Sequence, residues 1–263
     1  MALKDIANKT ILLTGASGGI GSAIAAGLSD QGARLILVGR NEQTLSQLNR
    51  DLGGHHLDCV ADISTSVGRE SIIRFCENEV SKIDVVINNA GVSVFGSLER
   101  MAPSIIEHVI QTNLLSQILL CQAFLPLLKT FSKSEIINVG STFGSIGYPG
   151  FSVYCASKFG LRGFSEALNR ELAESPVSIR YFAPRATQTT LNSDKVVEMN
   201  KALANKMDKP QQVAQSLIKF LKNTDHRAYL GWPEKLFVRL NGIFPTLVDK
   251  AISKKLSVIK RYL

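Results

Sequence analysis

Short β-branched or aliphatic runs alternate along this chain with longer segments of helical period. The runs Thr10–Thr14, Arg34–Val38, His56–Ala61, Asp84–Asn88, Glu135–Val139, Val177–Phe182 and Ala228–Leu230 read as seven strands. The segments between them are long enough for crossover helices. The pattern therefore predicts an α/β fold, a single doubly wound domain whose seven-stranded parallel sheet is covered on both faces. Ile20, Ile24 and Leu28 recur every four residues before Gly32, so the first crossover is an amphipathic helix with a glycine near its C-terminal end. Only Arg185–Pro210 is polar without a clear period, and it reads as a mobile insert or substrate lid.

The chain's end carries a different pattern. Pro245 can start a helix, and Val248, Ile252, Leu256, Ile259 and Leu263 then fall on one apolar stripe, with Lys250, Lys254, Ser257 and Arg261 on the other side. Such a two-faced basic helix has three uses. It can pack on the body or on a second subunit, lie on an anionic membrane surface, or dock an acidic acyl carrier protein.

Charge sharpens this division. Thirty Lys plus Arg against twenty-two Asp plus Glu give a net +8, which by itself suggests an acidic partner. From Lys195 to Leu263, however, there are fourteen basic and five acidic residues, against sixteen and seventeen upstream. The body is nearly neutral and the tail is basic. No nucleic-acid recognition motif accompanies the basic residues, so no nucleic-acid partner is expected.

With 45% hydrophobic and 20% charged residues, the composition excludes wholesale disorder and fibrous repeats. Cys59, Cys76, Cys121 and Cys155 lack CxxC spacing and histidine companions, which argues against zinc or a disulfide framework and for a reducing compartment. No metal is expected. Met1–Ile11 shows no signal-peptide pattern, and no uncharged apolar run reaches about eighteen residues, so the expected location is cytoplasmic, with peripheral membrane contact left to the tail. His55, His56 and His108 have no ligand pattern around them and read as surface or core residues.

Between the first strand and its helix lies Thr14-Gly15-Ala16-Ser17-Gly18-Gly19-Ile20-Gly21. Glycines at a strand-to-helix turn let backbone N–H groups approach a pyrophosphate, and the helix N-terminus favours negative charge there. The second strand runs into Gly39-Arg40, where an acid would accept a ribose 2′-hydroxyl and an arginine accommodates a 2′-phosphate. Arg40 thus favours NADP(H) over NAD(H). Tyr154 and Lys158 are spaced i, i+4 and share a helix face. A phenol with pKa about 10 is a poor base at neutral pH, and a cation about 4 Å away contributes roughly 4 kcal/mol at an effective dielectric near 20, enough to tune it.

The order of these motifs resembles that of the short-chain dehydrogenases/reductases over roughly Lys9 to Thr190, with Asp62-Ile63 after the third strand, Asn88-Asn89-Ala90-Gly91 after the fourth, Asn113 in the next helix and Ser141 thirteen residues before Tyr154. The resemblance implies a Rossmann-type oxidoreductase domain, which we take over residues 1–234 with the aperiodic 185–210 as lid; residues 235–263 do not follow from that sheet and read as a basic amphipathic extension. It implies that Tyr154 is the general acid/base, that Ser141 orients the substrate carbonyl, that Lys158 binds the nicotinamide ribose and lowers the tyrosine pKa, and that Asn113 supports a proton relay. It places the cofactor against Gly15, Ser17, Gly18, Gly19, Ile20, Gly21, Asp62, Ile63, Asn89, Ala90 and Gly91, with Thr187 or Thr189 near the carboxamide. It also implies a homodimer or homotetramer through the helices near Ser104–Thr130 and Val153–Ser175. One departure stands out: the family's Pro-Gly after the sixth strand reads Pro184-Arg185 here, and Arg185 stays outside the catalytic set.

Loops at the carboxyl ends of the strands carry Val92–Phe95, Phe143, Ile146, Tyr148, Phe151, Leu191 and Met199. Their apolar character, with Phe95, Phe143, Tyr148 and Phe151 as substrate candidates beside Ser141, points to a hydrophobic carbonyl or alcohol. The leading expectation is an NADP(H)-dependent oxidoreductase of a lipid-derived substrate. A 3-oxoacyl thioester reductase and a non-catalytic NADP-binding scaffold or sensor are the alternatives.

Overall fold

Seven parallel strands form one sheet in the computed structural model, which describes residues 5–263. They are β1 Thr10–Thr14, β2 Arg34–Gly39, β3 Leu57–Val60, β4 Val85–Asn88, β5 Ser134–Val139, β6 Val177–Ala183 and β7 Arg227–Tyr229, in spatial order β3-β2-β1-β4-β5-β6-β7. Every strand limit lies within one residue of the sequence expectation. The helices are α1 Gly19–Ser29, α2 Glu42–Asp51, α3 Ser66–Glu79, α4 Pro103–Ile110, α5 Ser116–Lys129, α6 Ser152–Glu171, α7 Asp194–Ala202, α8 Pro210–Leu221, α9 Glu234–Ile243, α10 Pro245–Ser253 and α11 Leu256–Ile259.

Strand alternation builds two cores. Ile11, Leu13, Leu35, Leu37, Val85 and Ile87 point to one face, where Ile24 and Leu28 of α1, Leu45 of α2 and Leu217 and Phe220 of α8 cover them. Leu12, Ile36, Val38, Val86 and Ile136 point to the other, under Ile72 and Cys76 of α3, Leu120 and Phe124 of α5 and Leu168 of α6. Strands buried on both faces explain the near-continuous apolar runs in the sequence. All four cysteines are free and buried.

The strand order reverses between β1 and β4, which opens a crevice at their carboxyl ends. The helix that follows β4 is not uniform. α4 passes through a π-helical turn at Gln111–Leu115 before continuing as α5. The combined run Pro103–Lys129 is long and apolar enough to cross a membrane by length and composition alone. Here its apolar side, with Leu120, Phe124 and Leu128 fully buried, covers the sheet.

Two segments differ from the sequence expectation. Arg185–Pro210 contains α7, whose Val196 and Met199 are buried; with so few inward positions over nine residues, its period was too short to stand out. The tail is not one helix from Pro245, because it turns at Lys254–Lys255 between α10 and α11. Its stripe faces the body. Val248 and Ile259 are buried, and Ile259 joins Phe151, Cys155, Val196 and Met199 in one apolar cluster. Packing on the body, one of the three uses open from the sequence, is the one adopted by the stripe, since burial there removes the same apolar area from water.

Candidate active site

β1 ends at Thr14, whose hydroxyl accepts hydrogen bonds from the backbone N–H groups of Asn89 and Ala90, each at 3.0 Å. Asn89 returns its side-chain amide to the Thr14 and Gly15 carbonyl oxygens at 3.0 and 3.2 Å. The first strand and the loop after β4 are thereby locked together, which leaves no room for a side chain at Gly15. That residue has φ +64°, and a Cβ there would sit 2.8 Å from the Ala90 Cα. A Cβ at Gly21 would drive into the Gly15 carbonyl oxygen. Gly18 caps α1 without any side-chain hydrogen bond, so the first-turn N–H groups of α1 remain open to a ligand.

This turn forms one end of a cavity of about 890 Å³, whose lining includes Gly15, Ser17, Gly18, Gly19, Ile20 and Gly21. Arg40, Asp62, Ile63, Asn89, Ala90, Gly91, Thr187 and Thr189 line it as well. Arg40 is exposed, just beyond β2. Asp62 accepts the Ser64 N–H at 2.8 Å; burial raises its pKa, but the Ser64 hydrogen bonds and nearby Arg40 leave it below the usual carboxylate value. An open row of helix N–H groups, glycines without room for side chains and a guanidinium at the far edge fit the phosphates and ribose of a dinucleotide.

At the middle of the cavity α6 presents Tyr154 and Lys158, and the segment after β5 presents Ser141. Ser141 lies in hydrogen-bonding relation to the Tyr154 hydroxyl, while its own Oγ accepts the Phe143 N–H at 3.1 Å. Burial pushes the Tyr154 phenol up to about 12, against the opposing Ser141 hydrogen bond, and takes the Lys158 ammonium down to about 8. Burial, and not the Lys158 charge, sets the direction of the Tyr154 shift. The ammonium lies 5.9 Å from the ring centroid and donates to the Val139 carbonyl oxygen at 2.9 Å, so desolvation dominates at both groups.

Asn113 is fully buried in the π-helical turn and is not part of the cavity wall. Its side chain accepts from Val92 N and donates to Val92 O, both at 2.8 Å, and reaches Ser157 Oγ at 3.2 Å. The bulge in the helix thus fixes the loop after β4 from behind.

The other end is apolar. Phe143 stacks on Tyr148 at 4.9 Å, and both line the cavity with Ile146, Phe151, Leu191, Val196, Met199, Phe237, Val248 and Ile252. Phe95 is not on this wall. It packs behind Phe151, with centroids 4.9 Å apart, and supports the aromatic cluster from outside.

Arg185 is engaged rather than free for a ligand. Its Nε and Nη2 reach the two Asp208 carboxylate oxygens at 3.0 and 2.7 Å, and its Nη1 reaches Glu234 at 3.0 Å.

The short chain dehydrogenase family profile matches residues 9–200, about three quarters of the chain. The chain belongs to the short-chain dehydrogenase family. Its relatives include a ketoacyl reductase from Nostoc, 30% identical over 258 residues and covering 94% of this chain and 89% of the relative. A 3-oxoacyl-[acyl-carrier-protein] reductase from Haemophilus influenzae is 31% identical over 222 residues, 82% of this chain and 91% of the relative. The same architecture occurs in a solved short chain dehydrogenase from Burkholderia cenocepacia in complex with NADP, with a TM-score of 0.81 at 21% identity, covering 94% of this chain and 98% of that one.

As a short-chain dehydrogenase the protein is an oxidoreductase, and its site contains a support that motif reading missed. The buried Tyr181 of β6 donates its hydroxyl proton to the Ser141 carbonyl oxygen at 3.2 Å and accepts the Ser141 N–H at 3.3 Å. Its ring fills the space where Gly140 and Gly144 would otherwise carry a Cβ. A strand tyrosine whose hydroxyl and ring meet a segment about forty residues away leaves no local pattern. The glycines flanking Ser141 were the available signal.

Proposed function

We propose that this short-chain dehydrogenase reduces a carbonyl on a lipophilic chain with NADPH as its reductant. The observation that supports this reading is the continuity of one cavity, which runs from the glycine turn past Ser141 and Tyr154 to an aromatic and aliphatic wall. The bound dihydronicotinamide would supply hydride to the carbonyl carbon.

The chain's own residues supply the rest. The α1 N-terminus and Arg40 hold the phosphates, Asp62 and Ile63 border the adenine, and Asn89–Gly91 with Thr187 and Thr189 border the nicotinamide end. Ser141 donates a hydrogen bond to the substrate carbonyl oxygen, and Tyr154 gives it a proton as negative charge develops. A phenol near 12 remains protonated at neutral pH, the state a proton donor needs. Lys158 binds the ribose, and its charge then favours the departing tyrosine proton. Asn113 holds the Val92 loop that bounds this chamber.

The curated relatives favour a narrower second reading, in which the substrate is a 3-oxoacyl thioester. Ile105, Leu115 and Phe159 expose apolar side chains on α4, the π-helical turn and α6, and we assign that face to pairing with a second copy.

Paired steady-state kinetics with NADPH and NADH, using 3-oxoacyl thioesters and simple ketones graded by chain length, test the reading. NADPH is expected to be preferred, kcat/KM to rise with chain length, and Arg40→Asp to lower the NADPH preference by roughly tenfold or more, the scale of one lost charge-assisted phosphate contact. Equal use of both cofactors by the wild type would refute the NADPH assignment.

A further inference from the structure

Six of the thirteen large apolar side chains exposed among the described residues fall between Trp232 and Leu247. Four of them are more than half exposed: Trp232 at 69%, Ile243 at 68%, Leu247 at 56% and Phe244 at 54%. This is not the stripe that the sequence pattern of the tail picks out, which faces inward. Leu236, Leu240 and Ile243 follow helical spacing on α9, with Trp232 just ahead of it, and Phe244 with Leu247 forms the elbow into α10.

The same elbow borders the cavity. Trp232, Pro233 and Phe237 line it from one side of the elbow, and Val248, Ala251 and Ile252 from the other. An apolar surface exposed to water is thus continuous with the apolar end of the active site.

The charge around the elbow has one sign. From Trp232 to the C-terminus there are seven Lys or Arg and two acids, Glu234 and Asp249. Glu234 is already paired with Arg185 at 3.0 Å. None of Lys235, Arg239, Lys250, Lys254, Lys255, Lys260 or Arg261 forms an ion pair with the described residues, and all seven are exposed. Two copies meeting through this patch would oppose like charges. A projecting set of Trp, Ile, Phe and Leu ringed by exposed cations without ion pairs instead matches a surface with an apolar interior and anionic headgroups.

We infer that the α9–α10 elbow docks the enzyme on anionic lipid bilayers, with Trp232, Leu236, Ile243, Phe244 and Leu247 in the interface and the cavity mouth facing the lipid. This extends the proposed lipophilic substrate class, but its test reads binding and not turnover, so the two fail separately. Trp232 is the chain's single tryptophan, and its emission reports directly on this surface.

The experiment titrates the full chain with phosphatidylcholine vesicles with and without phosphatidylglycerol, following Trp232 emission and co-sedimentation. A blue shift and co-sedimentation are expected with the anionic vesicles only, weakening as salt is added. Ile243→Glu with Leu247→Glu is expected to cut partitioning by at least about tenfold, and Lys250→Glu with Lys254→Glu by a similar factor. Cofactor binding and thermal unfolding show whether each variant is folded; if the first pair misfolds, Ile243→Ser with Leu247→Ser repeats the test. Absence of a shift with anionic vesicles, or unchanged partitioning of the folded variants, overturns the inference. So does a lipid-free dimer broken by the same substitutions, or a shift produced by acyl carrier protein and not by vesicles.

Discussion

Lys158 is only 4% exposed, and its polar contact within the protein is the Val139 carbonyl oxygen. Burial takes its pKa from 10.5 to about 8, so the unfolded chain holds this proton more tightly than the folded one. Below about pH 8 the folded protein carries the whole desolvation cost, and between 8 and 10.5 stability recovers as pH rises. Lys158→Met is therefore expected to raise the melting temperature of the cofactor-free protein at pH 7, by about 2–4 °C for each kcal/mol regained, while suppressing turnover. The gain should shrink towards pH 10.5, and a melting temperature at or below wild type at pH 7 would show that the buried ammonium is not a net cost. His56 has the same sign in another window. Buried and bonded to Leu35 N and Ser29 Oγ, it is held down at about 4, so its contribution is lost as pH falls from 6.5 towards 4. At this scale the spacing of Tyr154, Lys158 and Ser141 was visible in the chain because it repeats a local helical and loop geometry. Tyr181 was not, because its partner lies at the end of the neighbouring strand, far away in sequence.

At the scale of elements, Arg185 joins three segments that sequence reading left separate. From the loop after β6 it holds Asp208, just before α8, and Glu234 at the start of α9, with side chains 13–28% exposed. Restoring the family's glycine by Arg185→Gly leaves the two carboxylates without their shared cation. The expected cost is about 1–3 kcal/mol, with α9 opening to amide exchange before the sheet does. Unchanged exchange in α9 would mean that apolar packing alone holds it. The seven strands were legible because burial on both faces writes continuous apolar runs. α7 was not, since few of its residues face inward, and neither was the break before α11, because the stripe keeps its spacing while the backbone turns. Arg180 of β6 gives a related case: fully buried, it meets Glu135 at 3.0 Å and the carbonyls of Phe220, Asn223 and Asp225, an ion-pair tie between β5, β6 and the end of α8 that a charged residue in a strand does not announce.

For the whole molecule, the basic excess lies in the last quarter of the chain, while Ser141, Tyr154 and Lys158 belong to the nearly neutral part before it. Net charge therefore says nothing of the reaction, which has to be read from Ser141, Tyr154 and Lys158. The central claim is that Tyr154 is the proton donor in an NADPH-dependent carbonyl reduction. Its most direct test compares wild type with Tyr154→Phe in NADPH oxidation driven by a long-chain 3-oxoacyl thioester, with cofactor affinity measured alongside. The account predicts that kcat falls by about 10²–10⁴-fold while NADPH still binds. Near-wild-type turnover in a folded, NADPH-binding Tyr154→Phe protein would contradict it.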